Sequence, residues 1–192
     1  MSHIKEKQAQ KRSEIIEKIL PLLETVPFEE LSMKEICEAA DISTGSFYHY
    51  FTKKEDLLSG LLTLIDDYMI AEAFPKMKKK KESDNLLIFA KYWLKYVNDN
   101  GLSRSKLISS LVLSDQNYEG ETRVTFTEVS KRISKAQESN EFTAETSADE
   151  LTSLFFMALR GITVDWTRRD AGFDIVKTGS EYIKILLKGM AK

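Results

Sequence analysis

Apolar residues recur at three- and four-residue spacing along almost the whole chain, the period of a helix and not of a strand. The first helix is expected from about Lys5 to Thr25, with Ile15, Ile19 and Leu22 on one stripe and Ile16, Leu20 and Leu23 beside it. Pro21 removes an amide donor inside it and predicts a kink; Pro27 marks a turn. Ser32 to Glu35 reads as a capping box, a hydroxyl followed three residues later by a carboxylate, so a helix should start at Ser32. Its apolar positions, Met33, Ile36, Cys37 and Ala40, are interrupted at Asp41 and Ile42. Ser43 then offers a new N-cap to a helix from Thr44 to Phe51, with Phe47 and Phe51 one turn apart. A second capping box, Thr52 to Glu55, launches a longer helix carrying Leu57, Leu58, Leu61, Leu62, Ile65, Tyr68 and Met69 and ending near Pro75. Lys76 and Lys78 to Lys81 have the composition of an extended, solvated linker. Further helices are expected at roughly 84–99, 103–114, 117–139, 147–168 and 173–189. Gly101 ends the first of these, and Ser147 to Glu150 forms a third capping box. The fold class is therefore all-α.

Composition narrows the function by exclusion. The 192 residues carry 28 Lys plus Arg against 30 Asp plus Glu, a formal charge of -2, so binding to nucleic acid would need a local patch. The single cysteine, Cys37, excludes an intramolecular disulfide framework, and its place on an apolar helix face makes it a packing residue. Histidine occurs only at His3 and His49, without metal-ligand spacing, so neither metal nor cofactor is expected. No apolar run approaches the roughly 18 residues that span a bilayer, and no signal-peptide pattern opens the chain; a soluble cytoplasmic protein is expected. The absence of a phosphate-binding glycine loop and the scarcity of histidine argue against the competing reading, a small helical enzyme.

Two short helices joined by a tight turn, with an amphipathic helix on either side, form the arrangement that presents a recognition helix to the major groove. On Thr44 to Phe51 the two phenylalanines face inward, leaving Thr44, Gly45, Ser46, Tyr48, His49 and Tyr50 to solvent or a partner. Gly45 and Ser46 are small enough for close backbone approach to a duplex, and the tyrosine hydroxyls and rings suit phosphate oxygens and thymine methyls. Ser43 through Phe51, followed by Thr52, Lys53, Lys54, Glu55, Asp56 and Leu57, resembles the DNA-binding signature of the TetR family, and the likeness covers about residues 10 to 62. It implies base or backbone contacts from Thr44, Ser46, Tyr48 and His49, a phosphate contact from Lys54, and backbone contacts from Ser32 and Lys34. With Ser43, Gly45 and Tyr50 these make the candidate DNA surface. Asp41 stands where the family usually has glycine; aspartate adopts the left-handed conformation at modest cost, so the turn should survive.

The expected organisation is a three-helix helix-turn-helix domain over residues 1–56 and a larger helical domain for ligand binding and dimerisation over 57–192. In the latter, the helix from Ala148 to Trp166 is apolar on more than one side and must be covered on both. Leu154, Met157, Ala158, Gly161 and Asp165 on it, with Val176, Gly179, Tyr182, Ile183 and Leu186 on the last helix, resemble the helix pairs of the family's isologous dimer. Phe89, Trp93, Tyr96, Leu107, Leu111, Phe126 and Phe155 are candidates for a cavity holding a hydrophobic or aromatic ligand; plain core packing is the competing reading for each. The resemblance thus implies a homodimeric repressor, a palindromic duplex operator and a small-molecule effector. An architectural or cell-division DNA binder of the same fold stays open.

Overall fold

The computed structural model describes residues 3–114 and 123–192, without the side chains of 3–6, 58 and 110–114. Its helices are α1 (His3–Leu23), α2 (Met33–Ala40), α3 (Thr44–Tyr50), α4 (Asp56–Tyr68), α5 (Glu82–Ser114), α6 (Val124–Glu138), α7 (Ala148–Arg168) and α8 (Ile175–Gly189). No strand occurs among the described residues, only one isolated bridge between Phe142 and Ala191.

The chain divides into two compact units. The first runs to Leu64 and includes the end of α5 from Leu107; the second holds Ile65 to Lys106 and the described residues from Arg123 on. The division falls inside α4, whereas the sequence placed it at its start.

In the first unit α1 packs on α2 and α3. Ile15, Ile16, Ile19 and Leu20 meet Ile36, Ala40, Phe47 and Phe51 in its core. Gly60 lets α4 come close to α1: a Cβ there would lie 2.2 Å from Ile16 Cδ1. In the second unit α7 packs on both α6 and α8. Its core draws Leu86, Phe89 and Leu94 from α5, Ile133 from α6, Phe155 and Leu159 from α7, and Ile183 from α8.

Local chemistry sets most helix ends. Ser32 and Glu35 exchange both capping-box bonds, as do Ser147 and Glu150. Hydrogen bonds from the cap serines hold both carboxyls below the usual carboxylate range. The cap expected from Thr52 and Glu55 does not form. The Asp56 carboxylate instead accepts the Thr52 and Lys53 amides, at 2.7 and 3.1 Å, and α4 starts at Asp56. It leaves α-geometry at Met69–Ala73, a π-turn, and passes into a 3-10 turn over Phe74–Lys76, because Pro75 has no amide with which to extend the ladder. The expected helix from 117 to 139 is described only from Val124; residues 117–122 lie outside the described residues.

Gly101 breaks α5 with φ 78° and ψ -178°, a conformation open to glycine and costly for any residue with a Cβ. Gly101→Ala should therefore destabilise the protein by about 1–3 kcal/mol although nothing crowds the position; unchanged thermal unfolding would show that the break is not held.

Candidate nucleic-acid interface

The turn between α2 and α3 has the geometry that a recognition helix needs. Asp41 closes α2 in the left-handed region, φ 56° and ψ 49°. The Lys18 ammonium, reaching from α1, donates to the Ala40 carbonyl at 3.2 Å and so ties the turn to the core. Ser43 caps α3 by accepting the Ser46 amide at 3.1 Å. Phe47 and Phe51 are 0% and 1% exposed and stack on each other with ring centroids 5.1 Å apart. The Arg12 guanidinium of α1 lies 5.1 Å from the Phe51 ring centroid, a cation–π contact that closes the far side.

With two rings clamped inward, the rest of α3 is presented outward. Thr44, Gly45, Ser46, Tyr48 and His49 are exposed, Tyr48 by 54%, and Tyr50 is half-buried against His49. A Cβ on Gly45 would meet nothing closer than the Ser43 hydroxyl at 3.9 Å, so the glycine is not required by packing within the chain. Ser32 and Lys34, at the start of α2, are also exposed; Lys34 stands 3.8 Å from Glu38, a loose ion pair worth little. Lys54 is placed differently from the expectation. Its ammonium donates to the Phe28 carbonyl at 2.6 Å and sits 4.4 Å from the Phe28 ring centroid. It ties the segment after α3 to the turn before α2, leaving only its remaining donors for a phosphate.

Residues 15–61 match the family model described as bacterial regulatory proteins, tetR family. The helix-turn-helix segment of this chain is therefore that of the TetR family. Solved structures similar to it over almost its whole length agree with the TetR fold. A FadR regulator from Bacillus subtilis, solved with stearoyl-CoA, is 16% identical, with a TM-score of 0.74 over 92% of this chain and 97% of that one. A FadR from Bacillus halodurans is 18% identical at TM-score 0.74, over 92% and 97% of the two chains. The ketosteroid regulator KstR2 of Mycobacterium tuberculosis is 18% identical at TM-score 0.59, over 94% and 95%. No curated protein matches by sequence. The TetR architecture, an N-terminal helix-turn-helix domain and a larger C-terminal helical domain, is thus the architecture of this chain.

In the second unit, the candidate ligand residues are only partly brought together. Phe89, Trp93, Phe126 and Phe155 converge on Phe156, which sequence reasoning passed over; centroid distances to its ring are 5.8, 5.5, 5.7 and 6.0 Å. Phe74 adds a further ring, 6.4 Å from Phe89. Tyr96 packs instead against Tyr68, ring centroids 5.1 Å apart, where burial raises the Tyr68 hydroxyl above its ordinary pKa. Leu107 belongs to the first unit, and the Leu111 side chain lies outside the described residues.

The candidate dimer residues also separate. Leu154, Met157 and Gly161 are exposed along one stripe of α7, continued by Val164, and Tyr182 is exposed on α8 with Ile185. Ala158, Asp165, Val176 and Leu186 are half-buried, Asp165 holding Arg168 and Arg169 at 2.8 and 2.9 Å. Gly179 and Ile183 point the other way, into the unit's own core. A Cβ on Gly179 would lie 2.7 Å from Leu94 Cδ1 and 3.1 Å from Ile162 Cγ2, and Ile183 is fully buried. Two apolar stripes run along α8, and periodicity alone does not say which one faces outward. Among the described residues no group of His, Cys, Asp and Glu could hold a metal, and no helix is long and apolar enough to cross a membrane.

Proposed function

We infer that this TetR regulator is a homodimeric repressor that reads a palindromic operator through α3 and is released by a small hydrophobic or aromatic ligand of its second unit. The observation that carries the reading is the division of α3 and its C-cap into a fully buried pair, Phe47 on the helix and Phe51 at the cap, and an exposed edge of Thr44, Ser46, Tyr48 and His49. Anchored apolar residues fix the helix, and the opposite edge supplies hydroxyls, a ring and an imidazole to base edges and phosphates. Ser32, Lys34, Ser43 and Tyr50 flank that edge as backbone contacts, and Gly45 admits close approach of the duplex.

Dimerisation is supported by the outward stripes of α7 and α8. Leu154, Met157, Val164, Tyr182 and Ile185 leave apolar surface in water, and Gly161 leaves room for a helix to cross closely. The ligand is supported by the ring-lined core and by the FadR relative, whose bound stearoyl-CoA carries a long apolar chain. A ligand and an operator that favour different spacings of the two recognition helices weaken each other's binding by the same factor.

Selection from random duplexes tests the reading. An inverted repeat should emerge, with half-sites about one helical turn, ~34–36 Å, apart or at another spacing fixed by the dimer; recovery of a single unrepeated site, or of none, would defeat it. The interface has its own test. Leu154→Glu combined with Ile185→Glu places each buried charge twice across a two-fold, and should give a monomer by light scattering. Loss of the second recognition helix should then lower operator affinity by about a hundredfold or more. A dimer of unchanged mass would remove these stripes from the interface.

A further inference from the structure

The lysine run that composition marks as a wet connector is a fixed part of the second unit. Asn85, 1% exposed, accepts the Lys79 amide at 2.8 Å and donates to the Lys79 carbonyl at 3.1 Å and to the Glu82 carboxylate at 2.9 Å. A buried amide with both ends engaged holds the backbone it bonds in one place. The facing segment, after α6, is held as well: the Thr143 amide donates to the Met190 carbonyl at 2.9 Å and the Lys192 amide to the Glu141 carbonyl at 3.3 Å. Glu141 joins the two walls, its carboxylate accepting the Glu82 and Ser83 amides, each at 2.9 Å.

Between these walls and the end of α8 lies an open groove of about 720 Å³, within the range of small-molecule sites. Leu87 and Phe142 contribute an apolar floor, and Lys80, Lys81, Lys184 and Lys188 the rim. Its carboxylates do not balance them. Glu141, whose charge also acts on Lys81, and Asp84 are the two acids of the lining against four lysines, and among the described residues Lys184 is the rim lysine in an ion pair, with Glu181 at 3.2 Å. Positive charge is therefore in excess over an apolar surface, in a place where the backbone is already ordered.

We propose that this groove binds a small organic anion, its charged head held by Lys80, Lys81 and Lys188 and its apolar body lying over Leu87. The site shares no residue with the recognition surface or with the ring cluster around Phe156, and it stands whether or not either acts as described above. A carboxylate and a phosphate head would satisfy the same ammonium groups, which act as point charges.

Titration of the full chain with 8-anilinonaphthalene-1-sulfonate, an aromatic anion whose fluorescence rises on binding, tests the proposal, followed by displacement with decanoate or phenyl phosphate. Binding should weaken as sodium chloride rises. Lys81→Glu with Lys188→Glu should weaken it by about tenfold or more through like-charge repulsion, and the milder Lys81→Gln with Lys188→Gln by less. The glutamine pair decides the matter if circular dichroism shows the glutamate pair misfolded. Displacement by decanoate would identify an acyl carboxylate as the ligand class, and displacement by phenyl phosphate an organic phosphate. Dye affinity equal in parent and variants, or displacement by neither anion, would overturn the site.

Discussion

Phe47→Ala should destabilise the protein by about 3–5 kcal/mol and abolish duplex binding, whereas Tyr48→Ala, one residue away, should leave stability within about 0.5 kcal/mol and weaken duplex binding alone. Phe47 is fully buried, stacked on Phe51 at 5.1 Å and met edge-on by the Tyr48 ring at 5.4 Å. Removing it leaves a cavity beneath a helix of only seven residues, too short to keep its shape without tertiary support. Tyr48 has 54% of its surface in water and supports little of that packing. If α3 reads DNA as proposed, its loss removes one base or phosphate contact and operator affinity should fall by about tenfold or more. Urea unfolding and fluorescence anisotropy on the selected duplex separate the two effects. Equal loss of stability in both variants would mean that α3 is not divided into an anchoring and a reading edge.

That division was legible in the sequence because it is local. A short helix with one phenylalanine inside it and another four residues on, at its C-cap, has only one way to bury both, and the serine caps before α2, α3 and α7 act over three residues. Left-handed Asp41 was legible for the same reason, since the backbone need at that turn is met by the residue's own chemistry. Local rules also mislead when two partners compete within reach. Glu55 sits at the capping-box distance from Thr52, yet Asp56, one residue on, takes both amides.

What the sequence could not show depends on partners far along the chain. The lysine run looks like a solvated connector until Asn85 is seen to bond both sides of Lys79. Lys54 matches a phosphate-binding position, but the Phe28 carbonyl that engages it lies 26 residues away. Phe156 was missed because its neighbour Phe155 already satisfied the stripe; the rings of Phe89, Trp93 and Phe126 reach it from two other helices. Gly179 was assigned to an external face on the helical pattern and the resemblance to the family's dimer helices, and only the positions of Leu94 and Ile162 show that the close approach is internal.

A largely buried long-range ion pair, equally invisible in sequence, gives the second large effect. Asp66 on α4 accepts two bonds from the Arg123 guanidinium, at 3.0 and 2.8 Å, and one from the Thr125 hydroxyl at 2.7 Å. The side chains of Asp66 and Arg123 are 12% and 14% exposed, so the pair is largely cut off from water. Asp66→Ala removes both of these bonds from a guanidinium largely cut off from water and should cost about 3–5 kcal/mol. Replacing both members together, Asp66→Leu with Arg123→Met, should cost much less, because the desolvated carboxylate and guanidinium leave together. The pair therefore contributes more to register than to net stability. It fixes one end of α4 against the start of α6 at a single point, where apolar contacts would tolerate sliding. Urea unfolding of the two variants tests this, and a double variant as unstable as Asp66→Ala would show that packing around the pair, not its charge, holds α4 in place.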